Sequence, residues 1–247
     1  MGSLLFNLGF YAFTTITVFT SLPLLALPRG VLLYVLRSYT WGTELMLRVF
    51  CGVRVVVEGA ENIPPGAVLI VSKHQSAFDT VFWLSRLPDP CYVMKIELMR
   101  TPVWGWLARK CGMISVDREG GAPALRQMVK EARAAATAGR QIVIYPEGTR
   151  AVPGVTEPYQ PGVAAIAGAA RLTVVPVATN SGVCWGRKAF SKRPGVIRVK
   201  ILPPLPPGLA RARLMAMLEE TIEGESRAML TDPAAQRSPP GSPRRSP

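Results

Sequence analysis

One histidine, His74, stands in the whole chain of 247 residues. A reaction that needs an imidazole base near neutral pH has only that residue to use. No Gly-x-Ser-x-Gly turn occurs, which weighs against a serine hydrolase. The cysteines are Cys51, Cys91, Cys111 and Cys184, and no pair has CxxC or metal-ligand spacing. They read as reduced, mostly buried thiols, as suits a domain facing the cytosol. Acidic residues are scarce: 16 Asp and Glu against 29 Lys and Arg, a net charge of +13. Such an excess points to nucleic acid, an anionic membrane or an acidic substrate. The basic residues read as scattered, and the mean hydropathy is +0.22. Membrane and phosphate are therefore favoured, and nucleic acid is not expected as a partner.

Charge is missing altogether from Met1 to Pro28. The run is long enough to cross a bilayer. It has no cationic n-region and no A-x-A site follows, so it reads as a retained membrane segment and not as a signal peptide. The next stretch, about Gly30 to Cys51, carries Arg37, Glu44 and Arg48. On a helical wheel these three fall within about 40° of each other. A narrow charged stripe on an apolar helix suggests a segment lying at the interface. Residues 1–52 are thus expected to form a two-helix membrane element, either a hairpin dipping into one leaflet or one spanning helix followed by an amphipathic one. Arg29, Arg37, Arg48 and Arg54 would hold the downstream side in the cytoplasm.

From Val53 the pattern changes to short β-branched runs: 53–57, 67–71, 91–94, 113–116, 141–145, 173–178 and 196–201. Several are continuously apolar, as for strands covered on both faces. Helices are expected at 76–85, 123–138, 161–171 and 209–230. Such alternation predicts an α/β domain over 53–232, with a mixed, mostly parallel sheet flanked by helices. The Pro, Ser and Arg-rich tail, 233–247, has little to bury and is expected to be disordered.

Three strand ends carry chemistry. In Lys73-His74-Gln75-Ser76-Ala77-Phe78-Asp79, His74 falls in a strand-to-helix loop and Asp79 one turn into the helix. A carboxylate on one ring nitrogen would fix the tautomer, leaving the other to take a proton from a hydroxyl. A helix cap is the plainer reading of this short pattern by itself. Tyr145-Pro146-Glu147-Gly148-Thr149-Arg150 is a strand feeding a polar turn, suited to an anion through backbone N–H groups and a guanidinium fork. Gly112 to Arg118 ends in Asp117-Arg118, and Lys95, read at the end of a short strand in Lys95-Ile96-Glu97-Leu98, is a weaker phosphate candidate. Val174-Val175-Pro176-Val177 reads as a strand whose proline marks an edge or a bulge.

Together these blocks resemble the glycerolipid acyltransferase family, especially bacterial 1-acylglycerol-3-phosphate acyltransferases. The four blocks, His74 to Asp79, Gly112 to Arg118, Pro146 to Arg150 and Val174 to Val177, stand in the family's order. Each is weak singly; four in order are strong. The resemblance implies acyl transfer from acyl-CoA or acyl-carrier protein to a lysophospholipid hydroxyl, with lysophosphatidate the expected acceptor and no further cofactor. It implies His74 and Asp79 as the catalytic dyad. It also implies that Glu147, Gly148, Thr149 and Arg150 contact the glycerophosphate, helped by Arg118 and Lys95. The expected location is the cytoplasmic face of a bacterial inner membrane. Lys73 replaces the Asn often found before the histidine, and Ser115 stands where a bulky residue is common. These departures leave open other lyso-lipids, including lyso-ornithine lipid. A lipid hydrolase and a non-catalytic membrane-binding module are the competing readings.

Overall fold

The computed structural model describes residues 1–231; the tail at 233–247 lies outside them. Seven strands, β1 (Val53–Glu58), β2 (Val68–Ser72), β3 (Pro90–Lys95), β4 (Ile114–Val116), β5 (Gln141–Ile144), β6 (Thr173–Thr179) and β7 (Gly195–Ile201), form one sheet in the order β1-β7-β6-β2-β5-β3-β4. Every pairing is parallel except β6 with β7. All seven expected strands exist, and the sheet is mixed and mostly parallel.

Its two faces explain the continuously apolar strands. In β2, Val68 and Ile70 pack into one core cluster, while Leu69 and Val71 pack into another on the opposite face. All four are fully buried. The first face is covered by α1 (Gly2–Thr20), α2 (Arg29–Cys51) and α3 (Ala77–Arg86). The second is covered by α6 (Gly121–Thr137), α7 (Gly162–Ala170) and α9 (Arg211–Thr231). Two short helices, α4 (Ile96–Arg100) and α5 (Trp104–Lys110), follow β3. A further one, α8 (Ser181–Cys184), follows β6. Lys95-Ile96-Glu97-Leu98 is therefore a strand end turning into a helix, not a strand. At Gly105 an added Cβ would stand 2.1 Å from the Met99 carbonyl oxygen, so the α4–α5 corner depends on a close backbone approach. No local periodicity announces such a contact.

Pro176 is not at an edge either. β6 lies inside the sheet between β7 and β2. The Val177 carbonyl accepts from Lys73 N–H on the β2 side, so strand alternation turns the Pro176 nitrogen to the other side. There the Pro176 carbonyl accepts from Leu202 N–H at 3.0 Å, but the proline has no N–H to return, and the antiparallel ladder with β7 runs only from Val177 onward.

Of the two N-terminal helices only the first is long and apolar enough to cross a bilayer, over Gly2–Ala26. Both expected N-terminal helices are thus present, but one of them, not two, has the length and apolarity of a membrane span. Of the charged stripe of α2, Arg48 is exposed, while Arg37 and Glu44 face the domain. Glu44 takes both its bonds from Arg86 of α3, at 2.8 Å each, and Arg37 donates to the Pro88 carbonyl at 2.6 Å. These charges dock α2 onto the domain. The face left outside is apolar: Val31, Tyr34, Trp41, Leu45 and Val49, at helical spacing. On α1 the exposed set is Leu4, Leu5, Leu8, Tyr11, Ile16 and Phe19. Phe6, by contrast, is fully buried in the same cluster as the β strands, an anchor worth roughly 1.5–3 kcal/mol. The helical pair thus shares the core of the sheet.

Candidate active site

The strands β2, β5, β3 and β4 are mutually parallel, so their carboxyl ends lie along one edge. After β2 the chain passes to α3 on one face; after β5 it passes to α7 on the other. Such a divergence opens a crevice at the carboxyl edge. His74 leaves β2 there, Glu147 to Arg150 leave β5, Lys95 ends β3 and Arg118 follows β4.

Local sequence sets the histidine. Ser76 caps α3 by accepting from Phe78 N–H at 3.1 Å, and Asp79 completes the capping box. Asp79 Oδ2 accepts from Gln75 N–H at 2.7 Å and Ser76 N–H at 2.8 Å, and lies 3.1 Å from His74 Nδ1. The carboxylate is buried, and one oxygen serves both the helix start and the imidazole. Capping and orienting are the same interaction here, so the two readings of the motif do not compete. The His74 ring stacks on Tyr145, with centroids 4.2 Å apart and planes 22° apart. The Tyr145 hydroxyl donates to the Asp79 carbonyl at 2.6 Å. Burial raises that phenol well above its ordinary range, so it stays a donor.

The second loop grips the backbone of the first. Ala151 N–H donates to the His74 carbonyl at 2.7 Å, and His74 N–H donates to Glu147 Oε1 at 3.3 Å. Glu147 is turned inward: Oε1 also lies 3.3 Å from Lys73 Nζ, while Oε2 is buried without a hydrogen-bond partner. Burial pushes this carboxyl up to about 7, against the pull of Lys73 and the His74 N–H. Lys73 is 1% exposed. Its ammonium donates to Glu223 Oε1 of α9 at 2.5 Å and to the Val155 carbonyl at 3.3 Å. Glu223 is further held by Tyr159 at 3.0 Å and Thr156 at 3.3 Å.

Gly148 has φ +65°, and an added Cβ would stand 3.2 Å from the guanidinium carbon of Arg118. The glycine is needed for its left-handed backbone and for the space Arg118 fills. Burial lowers the Arg118 pKa, and Glu97 raises it. Thr149 and Arg150 are half-buried in the same turn. Lys95 is exposed and pairs in register with Val116, two residues before Arg118. The structure thus brings His74, Asp79, Glu147 and the Arg118–Gly148 contact together. Lys95 stands at the outer rim.

Sequence reasoning gave no role to Tyr145, Lys73 or Glu223. Tyr145 and Lys73 each opened a quoted stretch, and Lys73 registered only as a departure from pattern. Glu223 lies 150 residues from its partner and carried no local signal.

A family model described as Acyltransferase matches residues 54–180, and the chain belongs to this acyltransferase family. It is 35% identical over 195 residues to the 1-acyl-sn-glycerol-3-phosphate acyltransferase of Pseudomonas aeruginosa, covering 78% of this chain and 74% of that protein. It is 30% identical over 167 residues to the human 1-acyl-sn-glycerol-3-phosphate acyltransferase alpha, covering 66% of this chain and 58% of that one. The crystal structure of the 1-acyl-sn-glycerophosphate (LPA) acyltransferase PlsC from Thermotoga maritima shares the fold, with a TM-score of 0.77 at 24% identity over 93% of this chain and 97% of that one.

Asp79→Asn tests the pairing. The amide keeps an acceptor for the helix start but cannot stabilise an imidazolium. We expect kcat to fall by roughly 10²–10⁴-fold with KM within about threefold, read by steady-state acyl transfer. A variant that keeps its kcat means that Asp79 serves the cap alone.

Proposed function

We propose that this chain transfers a fatty acyl group from acyl-CoA or acyl-carrier protein to the sn-2 hydroxyl of 1-acylglycerol 3-phosphate, giving phosphatidic acid. The reading rests on one observation above all. A buried His–Asp pair shares a crevice edge with a guanidinium seated on Gly148. A base beside an anion site suits an acceptor that carries both a hydroxyl and a phosphate.

In this mechanism His74 Nδ1–H is held by Asp79, and the other ring nitrogen accepts the proton of the lipid hydroxyl. The hydroxyl oxygen attacks the thioester carbonyl, and the C–S bond breaks. The thiolate leaves and takes the proton back from the imidazolium. Arg118, Arg150 and Thr149 hold the phosphate, with Lys95 at the rim, and Glu147 fixes the backbone that carries His74. The thioester is already activated, so no further cofactor is invoked. The α1–α2 pair lies in the near leaflet with its apolar face outward, bringing the crevice to the lipid. The active side faces the cytoplasm of a bacterial cell, at the inner membrane.

An acceptor panel with one acyl-CoA tests the reading. Lysophosphatidate is expected to exceed glycerol 3-phosphate and lyso-ornithine lipid in kcat/KM. Fastest turnover of lyso-ornithine lipid would reassign the acceptor, and release of free fatty acid without acceptor would mark a hydrolase. Arg150→Ala is expected to raise KM for lysophosphatidate by roughly 10–100-fold, the worth of one charged hydrogen-bonded contact, with a smaller change in kcat. An unchanged KM removes Arg150 from the phosphate site.

A further inference from the structure

Between Glu157 and Glu219 the chain has no acidic residue. Within that stretch Arg187-Lys188-Ala189-Phe190-Ser191-Lys192-Arg193 gathers four cations around one aromatic ring. The impression of scattered basic residues misses this cluster. In the structure it is the loop between α8 and β7. Phe190 is 62% exposed, and Arg187, Lys188 and Arg193 are exposed with it.

Lys192 does the opposite. It is buried, its ammonium donating to Asn7 Oδ1 at 2.6 Å and to the carbonyls of Ala189 and Phe190 at 3.0 and 3.1 Å. It also stands over the rings of Trp185 and Phe6, at 5.2 and 5.4 Å. Asn7 Nδ2 donates to the Phe190 carbonyl at 2.9 Å, and Ser3 Oγ accepts from Lys192 N–H at 2.9 Å. The loop is thus fastened to the polar side of α1, whose exposed side presents Leu4, Leu5 and Leu8. At its other end Arg187 donates to the Arg150 carbonyl at 3.3 Å.

We propose that the Arg187–Arg193 loop is a second membrane contact, binding anionic lipid headgroups through Arg187, Lys188 and Arg193 while Phe190 enters the headgroup boundary. An aromatic ring flanked by cations, continuous with an apolar helix face, fits a negatively charged lipid surface. The clasp at Lys192 holds the loop level with α1, and the Arg187 contact places it beside the phosphate-binding turn. The proposal rests on the reading of α1 as a membrane helix.

The test uses the full chain and two vesicle types, phosphatidylcholine alone and phosphatidylcholine with phosphatidylglycerol. Wild-type protein should float with both, more strongly with the anionic vesicles, and salt should remove the difference. Each basic residue near an anionic surface contributes roughly fivefold. R187Q/K188Q/R193Q should therefore lose about 100-fold of the anionic enhancement and keep its binding to neutral vesicles. R126Q/K130Q/R133Q, on α6 at the opposite face of the sheet, should keep both. Because the four native cysteines are buried, Phe190→Cys carrying an environment-sensitive fluorophore should shift to the blue on anionic vesicles. An enhancement retained by the loop variant, an equal loss in the α6 variant, or an unshifted probe overturns the loop's role. Wild-type protein that floats with neither vesicle overturns the membrane reading of α1, and the proposal with it.

Discussion

His74→Ala should lower kcat by roughly 10²–10⁴-fold, the range a positioned general base contributes. The variant should remain folded. The ring's bonds are to Asp79 and the face of Tyr145, while the backbone N–H and carbonyl that join the two loops survive the substitution. Asp79 keeps its two N–H donors from Gln75 and Ser76, so no carboxylate is stranded. KM for the acceptor should change little, since the proposed phosphate contacts are Arg118, Thr149 and Arg150. The measurement is acyl transfer to lysophosphatidate, with a thermal melt and circular dichroism as controls. A folded variant within a few-fold of wild type would remove the base from the mechanism. No second histidine exists to replace it.

Lys73→Met should have the largest effect on stability. It removes a buried ammonium that faces Glu223 at 2.5 Å and Glu147 at 3.3 Å, leaving the buried Glu223 carboxylate and the Glu147 carboxyl without their cation. Breaking a buried pair this way costs about 3–5 kcal/mol, or roughly 6–20 °C in Tm for a chain of this size. The loss should be partly restored in K73M/E223Q, because the second change removes one stranded charge. A melt of K73M within about 2 °C of wild type would show that the network carries little of the fold. The pH dependence has a definite sign. Glu147 is raised from 4.5 to about 7, so between those values the folded protein binds a proton that the unfolded chain has lost. Its share of stability is full below about 4.5 and declines as pH rises to about 7. Glu147→Gln should flatten that part of the Tm profile.

The strands were legible because strands buried on both faces must be apolar throughout, and Val68 to Val71 is such a run. The His74–Asp79 pairing was legible because both residues sit within one helix start, where spacing nearly dictates geometry. The α4–α5 corner was not, since Val103, at positive φ, packs against a cluster that includes Leu32 and Leu33 of α2, and the close approach of Gly105 to the Met99 backbone leaves no periodic signal. Pro176 misled for the opposite reason. A proline signals an edge unless its missing N–H falls where a ladder stops inside the sheet, and only the register shows that it does.

By itself, the sequence determined the order of the seven strands and the longer helices, the one available imidazole, the ordered acyltransferase blocks and a charge-free N-terminus. All of these are properties of residues near one another in the chain. Tertiary structure decided which way the α2 stripe faces, what Lys73 is for and where the basic loop is fastened. Arg37 and Glu44 of α2 read as part of an interfacial stripe until Pro88 and Arg86 were seen to take them, which left the apolar side outward. Lys73 read as a departure from pattern until Glu223, 150 residues away, was found against it. A buried charge is placed by partners that only folding brings within reach, and no local pattern encodes them.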